Sequence, residues 1–413
     1  MKITRNRECR ICKSKKLEKF LSFGKVALVS SFLKKEQLNK FEQTPELNIY
    51  VCTNCWLTQV IDVPDPTVLF LKNYPYFTSF ISTMVTHFNQ LAKEITERFS
   101  LNKSHLVVDI GSNDGVFLNG FKKFGVPVLG IEPAPNIASV AVARNIETLN
   151  IFFTEETAKK IRKERGSAKI ILSTNTFAHI DDLDDFCRGL NNLLDDDGAF
   201  IFENPYLVDT LLNNEFDTMY YDHVSYYAIS PLTVLFKRFN MEIFDVQRTP
   251  VHGGSILVFV KKIGSKIPST KAPKQLINLE LKLELNTLKP YYEFAKRVEV
   301  FKGKLTSLLG GLKNKDKRVA GYGASARGNV LLSYCQIGVE TLDYMVDKST
   351  FKQGLYTPGT HIPIFAPGKV LEDMPDYLLI VAWNFADEIK KQQREYRKRG
   401  GKFIIPIPEL KII

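Results

Sequence analysis

The sequence predicts an α/β protein in three parts: a small metal-stapled amino-terminal module, a central domain on a mostly parallel sheet, and a smaller carboxyl-terminal α/β unit. Three observations carry this. Two Cys-x-x-Cys pairs stand near the amino terminus, short apolar runs ending in acid and glycine succeed one another from Leu106 onward, and a second strand-to-glycine-turn pattern begins near Arg318.

The first part rests on Cys9 with Cys12 and Cys52 with Cys55, four of the six cysteines in the chain. Each pair can place two thiolates on one turn, and tetrahedral Zn²⁺ closing the loop between them replaces a core that so short a segment can hardly build. Four thiolates leave no open position for water, so the expected zinc is structural. A redox dithiol or two disulfides are the alternatives; the doubled motif favours zinc. Cys187 and Cys335 read as buried thiols.

At 413 residues, 44% hydrophobic and 11% aromatic, the chain can bury two or three cores. No run approaches the roughly twenty apolar residues of a membrane span, and no signal-like apolar segment opens the sequence, so a cytoplasmic location without membrane partner is expected. The net charge of +11 suits polyanions. Its Lys and Arg residues are scattered, however, and a nucleotide-diphosphate ligand needs positive potential as much as nucleic acid does.

In the central part, LVVDIGSNDG reads as a buried parallel strand running into a tight loop, and VLGIEP ends a second strand with Glu132. Ligands of such sheets sit at the carboxyl ends of the strands, where Gly111 and Gly115 permit close backbone approach and Glu132 can accept from two ribose hydroxyls. The spacing is not G-x-G-x-x-G, and no Walker lysine is present. Asp109 and Asp114 would repel a pyrophosphate but tolerate a sulfonium and an amino group. The loop Asp109, Gly111, Ser112, Asn113, Asp114, Gly115 therefore predicts S-adenosylmethionine, in a class I methyltransferase arrangement. KIILSTNTFAHIDDL, with Asn175 and His179, and GAFIFENPY supply later strands, and MEIFDVQ with SILVFVK the closing antiparallel pair.

Between them, FDTMYYDHVSYYAIS crowds Tyr220, Tyr221, Asp222, His223, Tyr226 and Tyr227 together. His223 can serve as general base, Asp222 can fix a tautomer, and tyrosine hydroxyls can donate to an oxyanion; core-lining tyrosines and a satisfied buried histidine are the bland alternative. After SILVFVKK a polar linker leads into an apolar-periodic stretch, Leu276 to about Leu309, read as one long helix. RVAGYGASARGN is then a strand entering a glycine-rich turn, where backbone N–H groups and Arg327 could meet a pyrophosphate. DYMVDKS, YLLIVAW and GKFIIPIPE are further strands.

The paired CxxC motifs, DIGSNDG, NTFAHIDD, FDTMYYDHVSYY, PVHGGSI, GYGASARGN, KQGLYTPGTHIPI and AWNFADEI, in this order, resemble the sugar C-methyltransferase family of deoxysugar biosynthesis almost end to end. The resemblance implies a zinc-binding domain (1–65), a class I, Rossmann-like methyltransferase domain (66–268), and a helical linker with a half-Rossmann nucleotide-sugar domain (269–413). It implies methylation of the carbon next to the 4-keto group of an NDP-6-deoxyhexose, C-3 in the type resembled. His223 matches the base, Tyr220 the tyrosine, Asp222 the carboxylate, and His179 and Tyr76 other active-site positions, with Tyr76 preferred to Tyr74. Tyr74, Tyr221, Arg327, Asn329 and His361 are the expected substrate contacts, and a monomer is favoured.

The departures are specific. Tyr221 stands where the family has an imidazole, Asp222 is one methylene shorter than the usual glutamate and so reaches roughly 1.5 Å less far, and Leu257 stands where arginine is frequent. They leave open the sugar, the carbon and carbon versus oxygen as acceptor. A sugar O-methyltransferase is the competing enzyme. A zinc-knuckle binding module with a degenerate methyltransferase domain is the non-enzymatic alternative, opposed by the presence of both Gly111 and Glu132.

Overall fold

The computed structural model describes residues 3–71 and 74–413. Its centre is a seven-stranded sheet in the order Met241–Thr249, Ser255–Lys262, Leu194–Pro205, Ala168–Thr174, Val107–Ile110, Val128–Ile131 and Thr148–Leu149. Five strands are parallel, and Ser255–Lys262 closes one side antiparallel to both of its neighbours. The parallel strands are apolar along their length because helices cover both faces. Val107–Ile110 is buried at every residue, and Ser82–Arg98 packs its Phe88, Leu91 and Ile95 face against Val116–Lys122.

The amino-terminal module is a sheet of Leu17–Lys25, Glu46–Cys52 and Thr58–Val60, completed by a strand from the central domain, Ser225–Tyr226. The seam is therefore a hydrogen-bonded one. Ile3–Arg5 pairs with Asp62–Pro64 beside it.

The carboxyl-terminal unit has six strands in the order Ile364–Phe365, Met345–Val346, Val319–Tyr322, Tyr377–Ile380, Lys402–Ile405 and Lys411–Ile412, all parallel except the last. Leu33 of the first module bridges to Tyr356 of this unit, and Asn329 Nδ2 donates to the Val29 carbonyl at 2.6 Å. One apolar core runs through all three parts.

The long linker helix is two helices, Ala272–Lys282 and Lys289–Lys313, with Glu284 at φ +58° between them. Pro290 explains the difference: it has no N–H for the carbonyl four residues earlier and its ring crowds that turn, so it belongs in the first turn of a new helix. The buried Glu280 carboxylate before the break accepts from the Tyr206 hydroxyl and from the Ile229 and Ser230 N–H groups, fixing the linker to the central domain.

Candidate active site and zinc site

The four cysteine sulfurs lie within 4.8 Å of one another, with Cys9 Sγ to Cys55 Sγ at 3.5 Å and Cys12 Sγ to Cys52 Sγ at 3.6 Å. Four thiolates about 2.3 Å from a tetrahedral Zn²⁺ stand about 3.8 Å apart, so the donor set and its spacing fit the metal. Asn54 Nδ2 donates to Cys12 Sγ at 3.4 Å, a contact that orients the ligand from outside.

A cavity of about 630 Å³ opens where the three parts meet, at the carboxyl ends of the central strands. Among its lining residues are Asp109, Gly111, Ser112, Asn113, Glu132 and Asn175. Gly111 has φ +75°, and a Cβ there would fall 2.1 Å from Thr176 Oγ1, so only glycine lets the chain turn here. Glu132 holds the loop as well as facing the cavity: Oε1 accepts from Ala134 N–H at 2.8 Å and Oε2 from Asn113 N–H at 3.0 Å. Each oxygen keeps a second lone pair for a ligand hydroxyl.

Burial pushes the Glu132 carboxyl up to about 7, and burial together with the nearby Glu132 charge pushes Asp109 up to about 8. Asp109 Oδ1 is buried without a partner. An orphaned carboxylate oxygen and a glutamate with spare acceptor capacity fit the ammonium and ribose ends of S-adenosylmethionine.

Asp114 and Gly115 do not line this space. Asp114 is fully buried, receives the Ser79 N–H at 3.3 Å and pairs with Arg144 at 3.0 Å, while Gly115 starts the helix Val116–Lys122. Their work is to hold the loop.

The chain from Met219 to Tyr226 is stitched between two domains. Val224 N–H donates to the Ala178 carbonyl at 2.8 Å, and Val60 N–H from the zinc module donates to the Val224 carbonyl at 3.0 Å. This places His223 with Nδ1 2.9 Å from the Thr218 carbonyl and Nε2 2.9 Å from Tyr220 Oη. A carbonyl only accepts, so the proton sits on Nδ1, Tyr220 donates to Nε2, and Nε2 is the basic atom. Burial and the neighbouring His179 hold His223 well below the usual imidazole range, so it is unprotonated at neutral pH.

His179, its ring centre 4.9 Å from that of His223, donates through Nδ1 to the Asp222 carbonyl, and burial lowers it too. His179 also borders the cavity. Burial pushes the Asp222 carboxyl up to about 7; Ser30 Oγ of the zinc module donates to Oδ2 at 3.4 Å, and Oδ1 is buried without a partner. Tyr74 and Tyr76 line the cavity, and Tyr76 exposes 36% of its surface.

The expected substrate contacts divide. Tyr221 borders the cavity, but its hydroxyl donates to the Pro45 carbonyl at 2.7 Å, turned into the zinc module. Arg327 borders the cavity with its guanidinium committed to Asp217 at 2.8 Å, Glu215 at 3.3 Å and the His252 carbonyl at 2.8 Å, over the Trp383 ring. Two buried carboxylates, with Glu215 pushed up to about 7 by its burial, claim its charge before a pyrophosphate can. Asn329 is buried against Val29, and His361 pairs with Glu42 at 3.0 Å on the outer seam; both lie outside the cavity.

Other lining residues escaped the sequence reading. Ser30 and Phe32 come from the zinc module, His252 from the PVHGGSI turn, and Lys348, Ser349 and Lys352 from the loop after the strand Met345–Val346. Position alone marks the last three, since they follow the carboxyl end of a parallel strand. His252, lowered to about 3 by burial and Arg327, was visible in its motif without a role.

The sheet order, the adenosyl-fitting loop and the four-cysteine cluster define a methyltransferase that uses S-adenosylmethionine and carries a structural zinc. Family models agree along the chain: "Putative zinc binding domain" matches residues 9–70, "Methyltransferase domain" residues 84–246 and "C-methyltransferase C-terminal domain" residues 250–408. The C-methyltransferase NovU of Streptomyces niveus is 36% identical over 406 residues, 98% of this chain and 96% of that one. The chain belongs to the C-methyltransferase family.

Among solved structures, an S-adenosylmethionine-dependent methyltransferase from Anabaena variabilis is 18% identical with a TM-score of 0.33, covering 40% of this chain and 82% of its own. Magnesium protoporphyrin IX methyltransferase from Synechocystis with bound S-adenosylhomocysteine is 11% identical with a TM-score of 0.34, covering 43% and 82%.

Proposed function

We propose that the protein methylates a nucleotide-diphosphate-linked 4-keto-6-deoxy sugar at C-3, the carbon next to the ketone, in the cytoplasm. No helix among the described residues is long and apolar enough to cross a membrane. The observation that carries the chemistry is the neutral His223 with its Nε2 lone pair and a tyrosine hydroxyl 2.9 Å away, beside the cofactor loop in one cavity.

S-adenosylmethionine, when bound, supplies an electrophilic methyl group. A proton next to a ketone is acidic enough for an imidazole once the enolate oxygen is stabilised. His223 Nε2 takes that proton, and the Thr218 carbonyl at Nδ1 steadies the imidazolium. Tyr220 shifts its hydrogen bond from Nε2 to the ketone oxygen and stabilises the enolate. His179 and Asp222, which border the same space, orient the sugar, and Lys348 with Lys352 meets the diphosphate. Each lysine is paired with one carboxylate, Lys348 with Glu388 and Lys352 with Asp347, and keeps further ammonium N–H donors for a phosphate, whereas the Arg327 guanidinium is shared among Glu215, Asp217 and the His252 carbonyl.

Incubation with S-adenosylmethionine and a panel of NDP-4-keto-6-deoxyhexoses, followed by mass and NMR analysis, tests the reading. A new C–CH₃ signal on the carbon next to the ketone is expected. A methoxyl signal, or no turnover of any 4-keto sugar, overturns it.

A further inference from the structure

Residues 74–81 cross the cofactor side of the cavity as a strap carrying Tyr74 and Tyr76. The cofactor loop and the helix Pro135–Ala143 hold it by its backbone: Asn113 Nδ2 donates to the Tyr76 carbonyl at 3.1 Å, Thr78 N–H donates to Asn113 Oδ1 at 2.9 Å, and Asn136 Nδ2 donates to the Tyr74 carbonyl at 2.9 Å. Phe77 is buried on Ala134 and Ile137, just after Glu132. Whatever moves the strap therefore moves the edge of the adenosyl site and Tyr76 together.

From the other side, the strap is met by an aromatic ring of the carboxyl-terminal unit. Phe351 stacks on Phe77 with centroids 4.7 Å apart and planes at 13°, and on Phe80 at 6.3 Å and 21°. Yet 53% of Phe351 remains exposed, so the ring is no core residue of its own domain. Its loop is a tight one: Asp347 Oδ1 accepts the Ser349 N–H at 2.8 Å and the Lys352 ammonium lies 3.2 Å from Asp347 Oδ2. Lys348, Ser349 and Lys352 of the same loop line the cavity. Lys348 also pairs with Glu388 at 3.0 Å, and Glu388 accepts from Thr83 Oγ1 at the start of the helix that follows the strap.

We infer that Phe351 is a positioning residue that couples the two substrate sites: a nucleoside diphosphate held by the Lys348–Lys352 loop fixes the Phe351 ring, and through Phe77 the strap over the cofactor. The inference rests on the nucleotide-sugar reading above. Such coupling is reciprocal, so each ligand tightens the other by the same factor, and loss of one stacked aromatic contact removes roughly two- to tenfold of it.

Calorimetry with S-adenosylhomocysteine, alone and with saturating UDP or dTDP, measures the coupling factor. In the wild type the diphosphate tightens S-adenosylhomocysteine. In Phe351→Ala each single affinity stays within about twofold, which also reports an intact fold, while the coupling factor falls by roughly two- to tenfold; Phe351→Tyr keeps it. Phe351→Leu, which retains apolar bulk but lacks the ring, serves if the alanine variant does not fold, and is expected to show the same loss. A diphosphate that binds without tightening S-adenosylhomocysteine, or an unchanged factor in Phe351→Ala or Phe351→Leu, overturns the coupling and leaves the nucleotide-sugar reading standing. Failure of both diphosphates to bind the wild type overturns the reading and the coupling with it.

Discussion

Lowering the pH should weaken cofactor binding through two carboxyl groups, and the size of the effect follows from their burial. Asp109 is pushed up to about 8 and Glu132 to about 7, each chiefly by burial. The ammonium of the cofactor favours an ionised Asp109 and its ribose hydroxyls an ionised, accepting Glu132, so the protonated site must lose protons before it binds well. Between pH 8.5 and 6.5 a required ionisation near 8 weakens binding about 25-fold and one near 7 about fourfold. Together they amount to about 100-fold. The cofactor's own amine titrates near ~7.8, but it does so in every variant and cancels in a comparison.

Calorimetric titration of S-adenosylhomocysteine at half-unit pH intervals, on wild type and Asp109→Asn, isolates the protein groups. The asparagine variant should bind more weakly at pH 8.5 and lose most of the pH dependence. Stability gives the opposite sign. A carboxyl raised from 3.8 to about 8 contributes stability that is fully present below its unfolded value and is lost as pH rises through about 8. The ligand-free protein should thus melt lower at pH 9 than at pH 6, and Asp109→Asn should flatten that difference. Equal pH slopes for the two proteins would refute the reasoning.

Two further outcomes are expected. One zinc should bind per chain, and Cys52→Ser with Cys55→Ser should remove it by metal analysis; because the same module presents Ser30 and Phe32 to the cavity, turnover should fall with the metal, and full activity without zinc would contradict the placement. Arg327→Ala leaves the buried Glu215 and Asp217 carboxylates unpaired, a loss of about 3–5 kcal/mol at pH 8 in denaturant unfolding. The loss should shrink at pH 6, where Glu215 takes up a proton, and one under about 1 kcal/mol at pH 8 would sink the assignment.

Much of the architecture was legible because it is local. The apolar runs ending at Asp109 and Glu132 are strands, and the segments around Met241 and Ser255 form the antiparallel pair. The CxxC spacing brings its sulfurs together. What was not legible depends on partners far away in the chain. Nothing near Tyr226 announces that it extends a sheet begun at Leu17, and nothing near Ser30 announces the Asp222 carboxyl 192 residues on.

Arg327 in a glycine-rich turn reads as a phosphate ligand until Asp217 and Glu215 appear beside it. His223 and His179 each meet a backbone carbonyl at Nδ1, and it is the Tyr220 hydroxyl at His223 Nε2 that parts them, a pairing the sequence does not announce. The zinc module, which looked like a separate staple, forms part of the cavity wall.

The most direct measurement of the central claim follows enolisation apart from methyl transfer. With S-adenosylhomocysteine in place of the methyl donor, an NDP-4-keto-6-deoxy sugar turned over by the wild type is incubated in deuterated buffer and exchange at C-3 is read by NMR. The wild type should exchange that proton. His223→Asn should lose exchange and methylation together, by roughly a hundredfold to ten-thousandfold, and Tyr220→Phe should slow both less while leaving cofactor affinity unchanged. Wild-type exchange in His223→Asn would contradict the account and place the base elsewhere, with His179, its ring centre 4.9 Å from that of His223, and Tyr76 the next candidates.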